Sequence, residues 1–137
     1  VKLIIALILL TSAVISAENP FLKTFTSDKK PKQVKKSLRQ KLEKEGFKVI
    51  ESIISPKPPV FIINFCKGAP FSHSFPEISL ILPCKVFIKA IPGGTEVGTY
   101  DTKTAVRLFK DKLTPQELEM INAYGKKVRK IIEGALR

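Results

Sequence analysis

A chain of 137 residues is too short for two ordinary domains and long enough for one. Its 44% hydrophobic and 26% charged residues exclude full disorder, collagen and a repeat array; two cysteines exclude a disulfide-rich scaffold, and one histidine excludes any site built on several imidazoles. Lys and Arg number 24 against 12 Asp and Glu, a formal charge of +12.

Residues 1–17 join one basic residue, an apolar run from Leu3 to Leu10, and small residues at Thr11, Ser12, Ala13, Ser16 and Ala17. That is the layout of a secretory signal peptide. Cleavage after Ala17, a single domain over 18–137 and an exported protein, periplasmic or extracellular, are therefore expected. As a retained anchor, the 15 residues from Leu3 to Ala17 fall short of the roughly 20 that span a bilayer. Without Lys2, 23 basic groups face 12 acidic ones. In an exported protein the natural counter-charges are an acidic protein or an anionic surface such as lipid, rather than nucleic acid.

Phe21 to Thr26 is aromatic and β-branched and reads as a strand. Ser27-Asp28 then offers a helix cap and Pro31 suits a first turn. Val34, Leu38 and Leu42 recur every four residues, and Gly46 is a stop signal, so a helix is expected over 30–45. Eight of the 16 residues from Lys29 to Lys44 are basic, and their spread resembles a solvated surface more than a focused stripe. Phe47 to Ile54 reads as a strand, and Ser55 to Pro59, with three prolines, as a connector. Val60 to Phe65 is almost continuously apolar and reads as a central strand covered on both faces. Lys67 to Pro83 is irregular, with a short helical turn around Phe71 to Phe75.

Lys85 to Ile91 alternates, with Val86, Ile88 and Ala90 on one side and Lys85, Phe87 and Lys89 on the other. Pro92 to Thr95 is a hairpin turn, and Thr95 to Tyr100 returns as its partner. Thr102 to Phe109 is ambiguous, with a short helix as one reading. Thr114-Pro115-Gln116-Glu117 is a capping box. Leu118, Ile121, Tyr124, Val128, Ile131 and Ala135 follow at helical spacing, so a helix is expected over 115–135. Gly125 should weaken it slightly, and Lys126, Lys127, Arg129 and Lys130 should complement its negative end. The order β-α-β-β-loop-β-β-α describes a two-layer α+β domain: a mostly antiparallel, four- to five-stranded sheet against two amphipathic helices.

Leu-Glu-Lys-Glu-Gly-Phe at 42–47, an apolar strand ending in Phe65-Cys66, a loop with His73, Leu-Pro-Cys-Lys-Val at 82–86 and a glycine hairpin together resemble the family called domain of unknown function 302. The resemblance implies a β-α-β(4)-α fold similar to the TATA-binding-protein-like class, and no established reaction. Where family members often read Cys-Asn-Pro, this chain has Cys66-Lys67-Gly68.

Cys66 ends one expected strand, Cys84 precedes the next, and His73 lies on the loop between them. If those strands are neighbours, both sulfurs lie at one end of the sheet. Four readings remain open. Cys66 and Cys84 form a disulfide, which in an exported protein needs their Cβ atoms about 3.5–4.5 Å apart. They are buried, inert thiols. With His73 they form a pocket for Cu(I), Zn or non-covalent haem, Phe71 and Phe75 flanking the imidazole and a second protomer supplying a further haem ligand. Finally, Lys67 and Lys85 lower a thiol pKa and Cys84 is the nucleophile of a thiol-dependent enzyme. No Cys-x-x-Cys, phosphate-binding glycine loop or nucleophile elbow is present. The expected function is an exported accessory protein that binds a small ligand or serves sulfur or redox chemistry, rather than an enzyme. The alternative is a disulfide-stapled basic adaptor on an acidic partner or anionic lipid.

Overall fold

The computed structural model describes residues 19–65 and 82–137. Its elements are β1 (Leu22–Ser27), α1 (Pro31–Lys44), β2 (Ile50–Pro56), β3 (Pro59–Asn64), β4 (Lys85–Ile91), β5 (Gly94–Tyr100), α2 (Thr102–Phe109) and α3 (Pro115–Leu136). The strands form one antiparallel sheet in the order β1-β5-β4-β3-β2. This is a two-layer α+β fold, with α2 the short helix at the ambiguous segment. The expected leader over 1–17 and the turn around Phe71 to Phe75 lie outside the described residues.

The α1 stripe is buried as its spacing predicts: Val34, Leu38 and Leu42 are almost wholly excluded from solvent. They meet Phe61, Ile63 and Phe65 below β3, Val86 and Ile88 of β4, Val97 of β5, and Val128, Ile131, Ile132 and Ala135 of α3. Each such side chain, moved from water into this layer, contributes about 1.5–3 kcal/mol. The start of α1 differs from expectation. Lys30, not Ser27 or Asp28, is the N-cap residue, and its amide donates to the Gln33 side chain at 3.0 Å. The Ser27 hydroxyl instead accepts from the Lys29 amide and donates to the Leu136 carbonyl. The helix ends as Gly46 signals. With Gly46 at φ +79°, its N–H bonds the Glu43 carbonyl and that of Phe47 bonds the Leu42 carbonyl. This is a Schellman stop, sealed by the buried pair Leu42 and Phe47. The Gly-Phe step of the sequence pattern is thus a helix cap.

Three strand expectations change. Phe47 belongs to that cap, so β2 begins at Ile50. Pro56 and Pro59 are not in a connector; they close a tight β2–β3 hairpin around the cis Lys57–Pro58 bond. β2 is an edge strand, where a residue lacking an amide hydrogen leaves no ladder bond unmade. β3 is central but covered on one face only among the described residues. Phe61 and Ile63 are buried under the helices, whereas Val60 and Ile62 are half-buried on the far side. β4 alternates as expected, Val86 and Ile88 inward, Lys85 and Lys89 outward.

The capping box of α3 is present: the Thr114 hydroxyl accepts from the Glu117 amide, and the Glu117 carboxylate accepts from the Thr114 amide. Gly125 is more than a weak point. A Cβ there would lie 2.2 Å from Thr102 Oγ1 and 2.5 Å from its Cγ2, so α2 enters against α3 only where α3 lacks a side chain. Lys126, Lys127, Arg129 and Lys130 do not serve the helix end either. The last turn of α3 holds no basic residue, and a macrodipole acts only within about one turn.

Candidate functional site

The Leu82-Pro83-Cys84 step enters the helix layer. Leu82 and Cys84 are buried with Leu113 and Ile121, in a small cluster beside the main core. Tyr124 of α3 packs against both clusters. Its hydroxyl lies 3.4 Å from the Pro83 carbonyl, to which it donates, and 3.8 Å from Cys84 Sγ. Burial pushes the phenol up to about 12, so at neutral pH it is a donor and not a base. No free cysteine occurs among the described residues. β3 and β4 are neighbours, with Asn64 opposite Lys85, and the Phe65 amide donates to the Cys84 carbonyl at 2.9 Å. Cys66, Phe71, His73 and Phe75 lie outside the described residues. Among the described residues no His, Cys, Asp and Glu cluster suits a metal ion.

The basic residues of α1 fall on two flanks, which the even spread of the sequence conceals. Towards β2, Lys35 Nζ bonds Glu51 at 2.9 Å, and Arg39 bridges Glu43 at 2.8 Å and Glu51 at 3.3 Å. The Lys35 hydrogen bond, reinforced by its charge and by Arg39, holds the Glu51 carboxyl below the usual glutamate range. Lys32, Lys36, Ile53 and Phe61 complete this shallow groove of about 430 Å³, and Lys35 Nζ stands 4.7 Å above the Phe61 ring.

Towards α3, Lys41 and Lys44 face Lys126, Lys127 and Lys130 across an open groove of about 590 Å³. Ala123, Ile131 and Gly134 contribute small or apolar surface between them. Glu45 is the one carboxylate among these lining residues, and it bonds Lys127 at 2.9 Å. Lys127 also lies 5.6 Å from the Phe47 ring centre. Lys41, Lys44, Lys126 and Lys130 form no ion pair among the described residues. Lys41 and Lys44 complement the negative end of α1. The α3 lysines have no such role, because they sit in mid-helix. Five ammonium groups against one carboxylate make a local excess of positive charge that favours a multivalent anion. None of these lysines was singled out as a site by the sequence. Lys41/Lys44 at i,i+3 and Lys126/Lys130 at i,i+4 carry the signal, but only once the two helices are known to be neighbours.

A family model described as Domain of unknown function DUF302 matches residues 23–135. An uncharacterized protein of Aquifex aeolicus (strain VF5) is 29% identical over 84 residues, 58% of this chain and 58% of that protein. The chain thus matches little more than half the length of that relative. The crystal structure of an uncharacterized conserved DUF302 protein from Bacillus stearothermophilus superposes with a TM-score of 0.70 at 19% identity, covering 85% of this chain and 98% of that one. At that identity the likeness is one of fold.

Proposed function

Because the chain belongs to the family described as Domain of unknown function DUF302, which carries a fold and no reaction, we propose its function from the site: an exported binding protein whose α1–α3 groove holds a phosphate-bearing anion. The observation that carries this reading is the set of four lysines, Lys41, Lys44, Lys126 and Lys130, gathered around one groove without ion-pair partners among the described residues. A lysine ammonium is a compact point charge suited to phosphate oxygens. The long, flexible stem of a lysine lets such a set accommodate anions of more than one shape. A phosphate ester on a lipid head group and a free polyphosphate present the same chemistry to the groove.

We also propose that Cys84 is stapled to Cys66 in a disulfide. Support comes from the absence of a free thiol at Cys84, from the chain having only two cysteines, and from the neighbouring strands that carry Phe65 and Cys84. Such a bond fits an exported protein. In a disulfide the Cys84 sulfur would supply neither a thiolate ligand nor a nucleophile, so this reading sets both aside.

Calorimetric titration with inorganic tripolyphosphate, beside flotation with phosphatidylglycerol vesicles, tests the groove and separates the two sources. Binding of either probe that weakens as salt rises from about 0.05 to about 0.5 M is expected. Binding of neither, or binding indifferent to salt, overturns the reading.

A further inference from the structure

The two edges of the sheet are built differently. β1 presents Lys23, Thr24 and Thr26 to solvent, the polar dress that discourages strand pairing. β2 presents isoleucines: Ile50 is 56% exposed, and Ile53 and Ile54 are each 65% exposed. Among the described residues β2 pairs with β3 alone, so its outer edge of amides and carbonyls is unmatched. An apolar, unmatched edge is a template for another extended chain. The register break after Ile53, and Pro56 beyond it, confine such pairing to Ile50–Ile53.

The surroundings select the occupant. Glu51 and Ile53 stand opposite the buried Ile63 and Phe61, so they point to the helix side. There they share a groove with Lys32, Lys35, Lys36 and Arg39. Glu51 engages Lys35 and Arg39, while Lys32 and Lys36 form no ion pair among the described residues. Ile50 and Ser52 stand opposite Asn64 and Ile62, on the face away from the helices. A strand added beside β2 would therefore place alternate side chains beside the basic rim and the others beside Ile50. A second copy suits this seam poorly. Two-fold pairing of β2 with itself would bring both basic rims together, in a chain that already carries +12.

We propose that the β2 edge is a docking site for an extended acidic segment of a partner protein, one that alternates carboxylate and aliphatic side chains. The carboxylates meet Lys32 and Lys36, the aliphatic groups meet Ile50, and the backbone pairs with Ile50–Ile53. The site is separate from the α1–α3 groove and does not depend on its ligand.

The test uses the whole protein and a short fluorescent peptide of alternating valine and glutamate, with a valine–lysine peptide as its charge-reversed control. Saturable binding of the first peptide alone is expected, with slowed hydrogen exchange at the outward-pointing amides within Ile50–Ile53 measured on the unaltered protein. Ile53→Asp sets a carboxylate on the helix side against the segment's own carboxylates and should weaken binding by about tenfold or more. Lys126→Glu with Lys130→Glu should leave the exchange pattern in β2 intact, which separates this site from the groove. Four results would each overturn the proposal: no binding, equal binding of the lysine peptide, protection confined to α1 and α3, or a dimer in sedimentation that Ile53→Asp dissolves.

Discussion

The two flanks of α1 carry the same kind of charge and put it to different uses. Beside β2, Lys35 and Arg39 are tied to Glu51 and Glu43, and their bonds fasten the helix to the edge strand. Beside α3, among the described residues, four lysines face one another with no carboxylate paired to them, and Lys127 alone is matched, by Glu45. Cations already paired within the fold do structural work, and unpaired ones in a concave setting are left for something outside it. Counting basic residues would not separate the two; counting nearby carboxylates does.

Reversing charge on one flank and then the other is the strongest way to break this contrast. Lys126→Glu with Lys130→Glu should lower tripolyphosphate affinity by about a hundredfold, or about 2.8 kcal/mol, measured by calorimetry. Lys32→Glu with Lys36→Glu should lower it by no more than about threefold, since those side chains act only through screened distance. Equal losses from both pairs would erase the distinction between the flanks.

The wall of the α3 groove depends on how α3 is seated, and Gly125 controls that seat. Gly125→Ala drives a methyl group into Thr102 and should cost about 1–3 kcal/mol of unfolding free energy in a urea titration, despite alanine's better helix propensity. A neutral or stabilising result would mean that Thr102 yields freely.

Glu51→Gln should remove about 1 kcal/mol or less, because its bonds are partly open to water. The sign follows from its depressed acidity. Between its lowered value in the fold and the ordinary value of about 4.3, the unfolded chain binds the extra proton. The stabilisation is therefore complete above the ordinary value and disappears as pH falls through the lowered one. Urea titrations of wild type and variant should differ at neutral pH and converge in strong acid. A gap that persists there would assign the effect to something other than charge.

The smallest change sharpens the other flank. Glu45→Gln removes the one carboxylate among the groove's lining residues and should tighten tripolyphosphate binding by about two- to fivefold, or about 0.4–1 kcal/mol. Weaker binding would show that Glu45 positions Lys127 rather than competing with the ligand.

Much of the scaffold was legible in one dimension because its signals are local. The four-residue spacing of Val34, Leu38 and Leu42 predicts a buried stripe, Thr114 to Glu117 a helix start, Gly46 a stop, and Pro92 to Thr95 a hairpin. Each needs only a few adjacent residues to act, so the sequence by itself determined most of the elements and their order, with the helix at Thr102 to Phe109 left open. Cys84 was also visible as a special position, although its company of Leu113, Ile121 and Tyr124 comes from distant segments.

What only the tertiary structure decided is how elements far apart in the chain meet. It places Glu51 against Lys35 and Arg39, brings the lysines of α1 across from those of α3, and leaves β2 at an edge, where Pro56 is tolerated. It also turns Gly125 from a flaw in a helix into the contact that admits Thr102. The physical reason is range. Helix and turn propensities act over about one turn of chain, whereas charge pairing and packing depend on distance in space, which exists only after the layers have closed.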